Sequence, residues 1–137
     1  MFNLYKKMFI SFLCLISTSS IQLPREMTNI PHGQQFSYGI ASWYGPGFHG
    51  RATANGEIFN KDGLTAAHKA LPFNTKVLVT NLKNNKSVAV RINDRGPFIE
   101  NRIIDLSEEA ARIIDSKVQG IAYIKLQTLA PSTILRL

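Results

Sequence analysis

Val77-Leu78-Val79-Thr80, Lys83-Asn84-Asn85-Lys86, Val88-Ala89-Val90-Arg91-Ile92 and Asn93-Asp94-Arg95-Gly96-Pro97 follow one another in a single stretch. The two runs rich in β-branched residues predict strands. Between them stands a polar turn in which Asn tolerates the left-handed backbone that tight hairpins need. The second strand then breaks sharply into a loop over Asn93-Asp94-Arg95-Gly96-Pro97. A hairpin that ends on a polar loop sets the texture for the rest of the chain.

Upstream, Tyr38-Gly39-Ile40-Ala41-Ser42-Trp43-Tyr44 is aromatic-rich and reads as another strand. Residues 45–63 hold Gly45, Pro46, Gly47, Gly50, Gly56 and Gly63, a glycine-rich loop of a length that is usually functional or disordered. Downstream, Ile103-Ile104 makes a short strand and Ser107 an N-cap. Glu108 and Glu109 oppose the positive end of the helix that follows. That helix buries Ala110, Ala111, Ile113 and Ile114 and ends near Lys117. Ile121–Leu129 closes as a final strand. Short strands, one short helix and long loops predict a small closed β-barrel, with an open sheet carrying one helix as the alternative.

The chain has 137 residues and one cysteine, Cys14. Lys6-Lys7, the apolar run Met8–Ile16 and the small residues Ser17-Thr18-Ser19-Ser20 read as a signal peptide over 1–20, cleaved after Ser19 or Ser20. The apolar run is too short for a helix crossing a bilayer of about 30 Å. A short uncleaved anchor or an ordinary core helix is the other reading. Bulky Phe12 and Leu13 before Cys14 do not suit lipidation, so no stable membrane anchor is expected after cleavage. Residues 21–35, with Pro24, Pro31 and Gly33, form a linker; 36–130 are the folded domain and 131–137 a tail. The expected location is outside the cytoplasm, in the periplasm or cell envelope.

The formal charge of +7 suits either solubility or an anionic polymer. The positive residues are scattered, however, and form no arm of the kind that binds nucleic acid. With Cys14 in the leader, neither a disulfide framework nor a Cys-based zinc site is available. His49, His68 and Asp94 lack the spacing of a metal motif, so no metal or other cofactor is expected. Gly45–Gly47 opens no helix and is no dinucleotide signature, and no Gly-x-Ser-x-Gly elbow is present.

Some polar residues stand where chemistry could use them. Asp94, in a loop directly after a strand, is either a working carboxylate or the start of an Asx-turn ahead of Gly96. Glu57 follows the Asn55-Gly56 turn, which aims it. His68, after small Ala66 and Ala67, is either an orienting group or a hydrogen-bonded structural histidine. Asp105, between Ile104 and Leu106, is an acid in apolar company or a helix-entry cap. Arg95 adjoins Asp94 and can steady its charge or bind an anionic group. Trp43, Tyr44, Phe48 and His49 offer a stacking surface, and core packing explains Trp43 equally well.

Read in order, Ala41-Ser42-Trp43-Tyr44-Gly45, Phe48-His49-Gly50-Arg51, Thr53-Ala54-Asn55-Gly56-Glu57, Thr65-Ala66-Ala67-His68-Lys69 and Leu71-Pro72 form a series of blocks. Val79-Thr80-Asn81-Leu82, Arg91-x-Asn93-Asp94-Arg95-Gly96-Pro97-Phe98 and Arg102-x-Ile104-Asp105-Leu106-Ser107 complete it. From about Tyr38 to Leu129 the chain resembles the rare lipoprotein A (RlpA) family. The resemblance implies a mainly β fold, a six-stranded double-psi β-barrel with one short helix, shared with expansins. It also implies an endolytic lytic transglycosylase that cleaves MurNAc–GlcNAc bonds in peptidoglycan strands lacking stem peptides, leaving 1,6-anhydro-MurNAc ends. A non-catalytic, expansin-like wall-binding module is the rival reading.

By the same resemblance Asp94, Glu57 and His68 are catalytic, as acid/base, electrostatic partner and orienting group. Trp43, Tyr44 and His49 of the stacking surface, with Arg95 and Asp105, are the expected substrate contacts. Asp105 matches the second aspartate of expansins, so which aspartate is the main acid stays open. Such an acid must carry its proton when substrate binds. Two features depart from the family pattern: the poor lipidation signal, and the short tail Ala130–Leu137 where many members carry a peptidoglycan-binding module.

Overall fold

The structure is a computed structural model and describes residues 35–130. The predicted signal peptide, all of the linker but Gln35, and the tail lie outside the described residues. The elements run β1 (Phe36–Trp43), β2 (Thr65–His68), β3 (Lys76–Asn81), β4 (Ser87–Asp94), β5 (Arg102–Leu106), α1 (Glu108–Ile113) and β6 (Ile121–Thr128). The strands close into a ring in the order β1-β5-β2-β4-β3-β6. β1 pairs with β5, and β2 with β4, in parallel. The remaining four pairings are antiparallel. This is the six-stranded mixed barrel with one short helix that the resemblance implies.

Period-two alternation builds the core. In β3 and β4, Val77, Val79, Val88, Val90 and Ile92 point inward, while Leu78, Ala89 and Arg91 alternate with them. Ile104, Leu106, Ile124 and Leu126 fill the ring from β5 and β6. A closed ring leaves no strand edge unpaired, and a small barrel packs side chains into its interior. The hairpin turn is as expected, with Asn85 at φ 60° and its N–H bonded to the Asn81 carbonyl at 2.8 Å.

α1 begins where predicted. The Ser107 hydroxyl accepts the Ala110 N–H at 3.2 Å, and Glu108 and Glu109 occupy the first turn. The helix stops at Ile113, earlier than the pattern suggests, because Asp115 takes a left-handed backbone at φ 54°. Ala110, Ala111 and Ile114 are buried, and Ile113 packs at the margin of the core.

Two elements differ from the expected ones. Thr65–His68 is a strand, although the sequence reads as a small-residue stretch; it lies between β4 and β5. β4 also continues through Asp94 instead of breaking at Asn93, because Asp94 pairs in register with Ala67. Asp94 therefore stands on the last residue of a strand. The loop proper begins at Arg95, and Gly96 at φ 127° supplies a conformation that other residues rarely adopt.

Candidate functional site

β2 organises the site. Ala67 is the register partner of Asp105 on one side and of Asp94 on the other. On the far side of β5, Asp105 is paired with Ser42. The two acids thus flank one alanine, whose methyl group fills little of the space between them.

Three donors hold the Asp94 carboxylate. The Tyr44 hydroxyl donates to Oδ2 at 2.7 Å, and the backbone N–H groups of Ala54 and Arg95 donate to Oδ1 at 2.9 and 2.8 Å. The Arg95 N–H belongs to the next residue, one short of the donor an Asx-turn uses, so Asp94 steadies its own loop and presents a carboxylate at once. Two carboxylate oxygens offer about four acceptor positions, and three are taken here. The remaining one is on Oδ2.

Tyr44 is placed by strand and loop together. Its N–H donates to the Leu106 carbonyl at 2.9 Å, and its ring packs 4.5 Å from Phe59 and 5.5 Å from Phe48. Burial pushes the phenol up, reinforced by its hydrogen bond to Asp94 and by the charges of Asp94 and Asp105. Tyr44 therefore stays a neutral donor across the working pH range.

Glu57 is held on an adjacent part of the surface. Its oxygens accept the Arg91 guanidinium in a bidentate pair at 2.7 and 2.8 Å, with further donors from Asn93 at 3.1 Å and Asn55 at 3.0 Å. These bonds, Arg91 first, hold its carboxyl below the ordinary value of 4.5, at about 2. The clamp fastens the glycine-rich loop to β4. Asn55 is its hub, since Oδ1 accepts both the Thr53 hydroxyl at 2.7 Å and the Glu57 N–H at 3.1 Å. Gly56 turns the chain at φ 89°. The clamp therefore fixes the Ala54 N–H against Asp94.

The low value carries a pH consequence. A carboxyl whose folded value lies below its unfolded one adds stability above the unfolded value, and loses it as pH falls through the folded one. The contribution of Glu57 is present above about pH 4.5 and fades toward about pH 2. Its side chain is 40 % exposed, so solvent screens part of the attraction. Glu57→Gln should be less stable than the parent at pH 7 and nearly equal to it at pH 2, checked by urea midpoints at both values.

His68 caps a turn. Its Nδ1 accepts the N–H groups of Ala70 at 3.1 Å and Leu71 at 3.0 Å. Burial lowers its pKa, helped by the charges of Arg95 and Lys69, so the ring is held neutral. Arg95 turns from its neighbour's carboxylate. Its guanidinium donates to the carbonyls of Leu71 at 3.0 Å and His68 at 3.3 Å, and its Cζ lies 3.9 Å from the centre of the Phe73 ring. Asp105 accepts the Ser42 hydroxyl, and Arg102 donates to that hydroxyl oxygen at 3.4 Å.

The expected stacking surface divides. Trp43 donates from Nε1 to the Lys117 carbonyl at 3.2 Å and packs against the core. His49 accepts the Lys61 N–H on Nδ1 at 3.2 Å, bracing the glycine-rich loop. Phe48 and Phe98 remain exposed. The structure brings Tyr44, Asp94 and Asp105 together and sets Glu57 behind the loop that supports Asp94. The sequence reading named neither Arg91 nor Asn55 nor Asn93 as site residues. A signal existed: Arg91 and Asn93 alternate with buried Val90 and Ile92, placing a cation and an amide on one face of a strand. Among the described residues, no group of three or more His, Cys, Asp or Glu is arranged to hold a metal ion.

Comparison with known proteins bears on both fold and family. Residues 37–126 match the family model described as lytic transglycolase. The chain is 62 % identical over 91 residues to the endolytic peptidoglycan transglycosylase RlpA of Campylobacter jejuni, covering 66 % of this chain and 33 % of that one. It is 58 % identical over 102 residues to the protein of the same name from Helicobacter pylori strain J99, covering 74 % and 32 %. The matched region thus spans about a third of these curated relatives. Among solved structures, the Streptomyces papain inhibitor is similar at TM-score 0.57 and 19 % identity, covering 70 % of this chain and 96 % of that one. An expansin of Clavibacter michiganensis in complex with cellohexaose is similar at TM-score 0.57 and 24 % identity, covering 70 % and 51 %. These two likenesses speak for the shared double-psi barrel alone. With the matched model covering most of the described barrel, the chain belongs to the lytic transglycolase family.

Proposed function

We propose that this domain is an endolytic peptidoglycan lytic transglycosylase that cleaves MurNAc–GlcNAc bonds in strands lacking stem peptides. The observation that carries the reading is Asp94, fixed by three donors at a strand end, with an acceptor position of Oδ2 left over and Asp105 across Ala67. Relatives named for this activity in Campylobacter jejuni and Helicobacter pylori support it. Exposed Phe48 and Phe98 offer apolar faces for sugar rings.

In this mechanism protonated Asp94 gives its proton to the glycosidic oxygen as the bond to the muramyl anomeric carbon breaks. Positive charge develops at that carbon, facing Asp105. The muramyl C6 hydroxyl oxygen then bonds to the same carbon, and its proton passes to Asp94. The acid is restored, no water is consumed, and the product ends in a 1,6-anhydro ring. Tyr44 positions the Asp94 carboxyl throughout. Glu57 acts through Arg91 and the loop, and His68 and Arg95 set the turn beside them. The domain works in the periplasm or cell envelope, without a stable membrane anchor.

Digestion of purified sacculi, intact and amidase-stripped, with mass analysis of the soluble products, tests the reading. Muropeptide or sugar products lighter by one water than hydrolytic ones are expected, with more released from stripped sacculi. Reducing ends would overturn it in favour of a hydrolase. Binding without any soluble product would overturn it in favour of an expansin-like module.

A further inference from the structure

A cavity of about 480 Å³ opens where β1 and β5 begin and β2 and β6 end. His68, Lys69 and Arg102 line it, and no aspartate or glutamate does. Neither cation has a carboxylate within ion-pair distance among the described residues. Arg102 makes one long hydrogen bond, to the Ser42 hydroxyl oxygen at 3.4 Å, leaving most of its N–H groups without a partner among the described residues. Because both backbone donors converge on His68 Nδ1, the neutral ring carries its proton on Nε2, a donor with no partner among the described residues. Leu71, Ile103 and Leu126 supply apolar wall between these groups.

The cavity shares structure with the proposed acid. Arg95, next in sequence to Asp94, holds the carbonyls of the His68–Leu71 turn that walls it. On the other side, Arg102 reaches the hydroxyl that donates to Asp105. Two cations and an N–H donor set among aliphatic side chains fit a small anion on a hydrocarbon stem, above all a carboxylate.

We propose that this cavity is an anion subsite in which Lys69, Arg102 and the His68 Nε2–H take a carboxylate carried by the glycan strand, on the muramyl lactyl group or on its stem. The proposal rests on peptidoglycan being the substrate. Two sources share the chemistry. In a strand without stem peptide, the 3-O-lactyl group of muramic acid ends in a free carboxylate beside a methyl group. In a peptide-bearing strand that carboxylate is an amide, and the anions lie further along the stem.

Binding is the test, because it does not depend on cleavage. The full chain carrying Asp94→Asn is titrated with three probes: stripped glycan strands, the same strands with their carboxylates converted to methylamides, and peptide-bearing strands. Conversion to methylamide should weaken binding by about tenfold, the scale of losing a charge-assisted hydrogen bond. Lys69→Ala removes an exposed side chain and should abolish that difference, and Arg102→Gln should do the same if Lys69→Ala fails to fold. Tighter binding of stripped than of peptide-bearing strands assigns the cavity to the lactyl carboxylate; the reverse order assigns it to a stem carboxylate. Equal binding of acid and methylamide strands overturns the proposal, and so does a full preference surviving in both variants. If the parent protein releases no product from sacculi while its Asp94→Asn form discriminates acid from methylamide, the lytic reading falls and the subsite stands.

Discussion

Asp94→Asn is expected to reduce release of 1,6-anhydro products by about 10²–10⁴-fold, the span that a positioned general acid and base contributes. Asparagine keeps the size of the side chain and its Oδ1, which accepts the Ala54 and Arg95 N–H groups. Loop and barrel should therefore survive. The replacement cannot give up a proton and take it back. Circular dichroism and the urea midpoint should match the parent closely, while product analysis of stripped sacculi shows the loss. The companion Asp105→Asn separates the two aspartates. Under the proposed roles it slows the reaction less, since Asp105 faces developing charge and moves no proton. Equal product yield from Asp94→Asn and parent would remove Asp94 from the chemistry.

The largest effect on stability should come from Ile104→Ala, at about 2–5 kcal/mol. Ile104 is completely buried and lies in register with Ala41 of β1 and His68 of β2, so it packs where two strand pairings meet. Alanine partners nearby, Ala41 and Ala66, cannot expand to fill the void. A domain of this size is stable by about 5–15 kcal/mol, so the substitution removes a large share. The urea midpoint should fall with little change in slope. Activity at low temperature should fall too, because the next residue is Asp105.

The β-branched runs of β3 and β4 were readable because alternation and turn chemistry agreed there with the final structure. Ser107 was readable as a cap for the same reason. β2 was not, because Ala66 and Ala67 have weak intrinsic preference for strands; their pairing with β4 and β5 makes them one. The parallel pairing of β1 with β5 joins residues far apart in sequence, which no local pattern encodes. At the site, the resemblance led to Asp94, and the structure adds what holds it. Tyr44 read as a stacking residue because aromatic type says nothing of which way a hydroxyl points. Glu57 read as a partner of Asp94, while its bonds run to Arg91, Asn93 and Asn55. Arg95 is spent on two carbonyls and a phenylalanine face, a role set by tertiary packing and invisible in the block Asn93-Asp94-Arg95-Gly96-Pro97.

Ring closure also dictates the order in which the molecule becomes itself. β6 is the last strand in chain order, and it lies between β1, the first, and β3. Until Ile121–Thr128 is available, β1 and β3 present bare hydrogen-bonding edges to any other chain, and the inward faces of both are wet. The contacts that close the ring span most of the domain, a topology that folds slowly for its size. A nascent or truncated form lacking β6 is thus a sticky, edge-exposed species, and the final eight-residue strand converts it into a barrel that offers neighbours nothing to pair with.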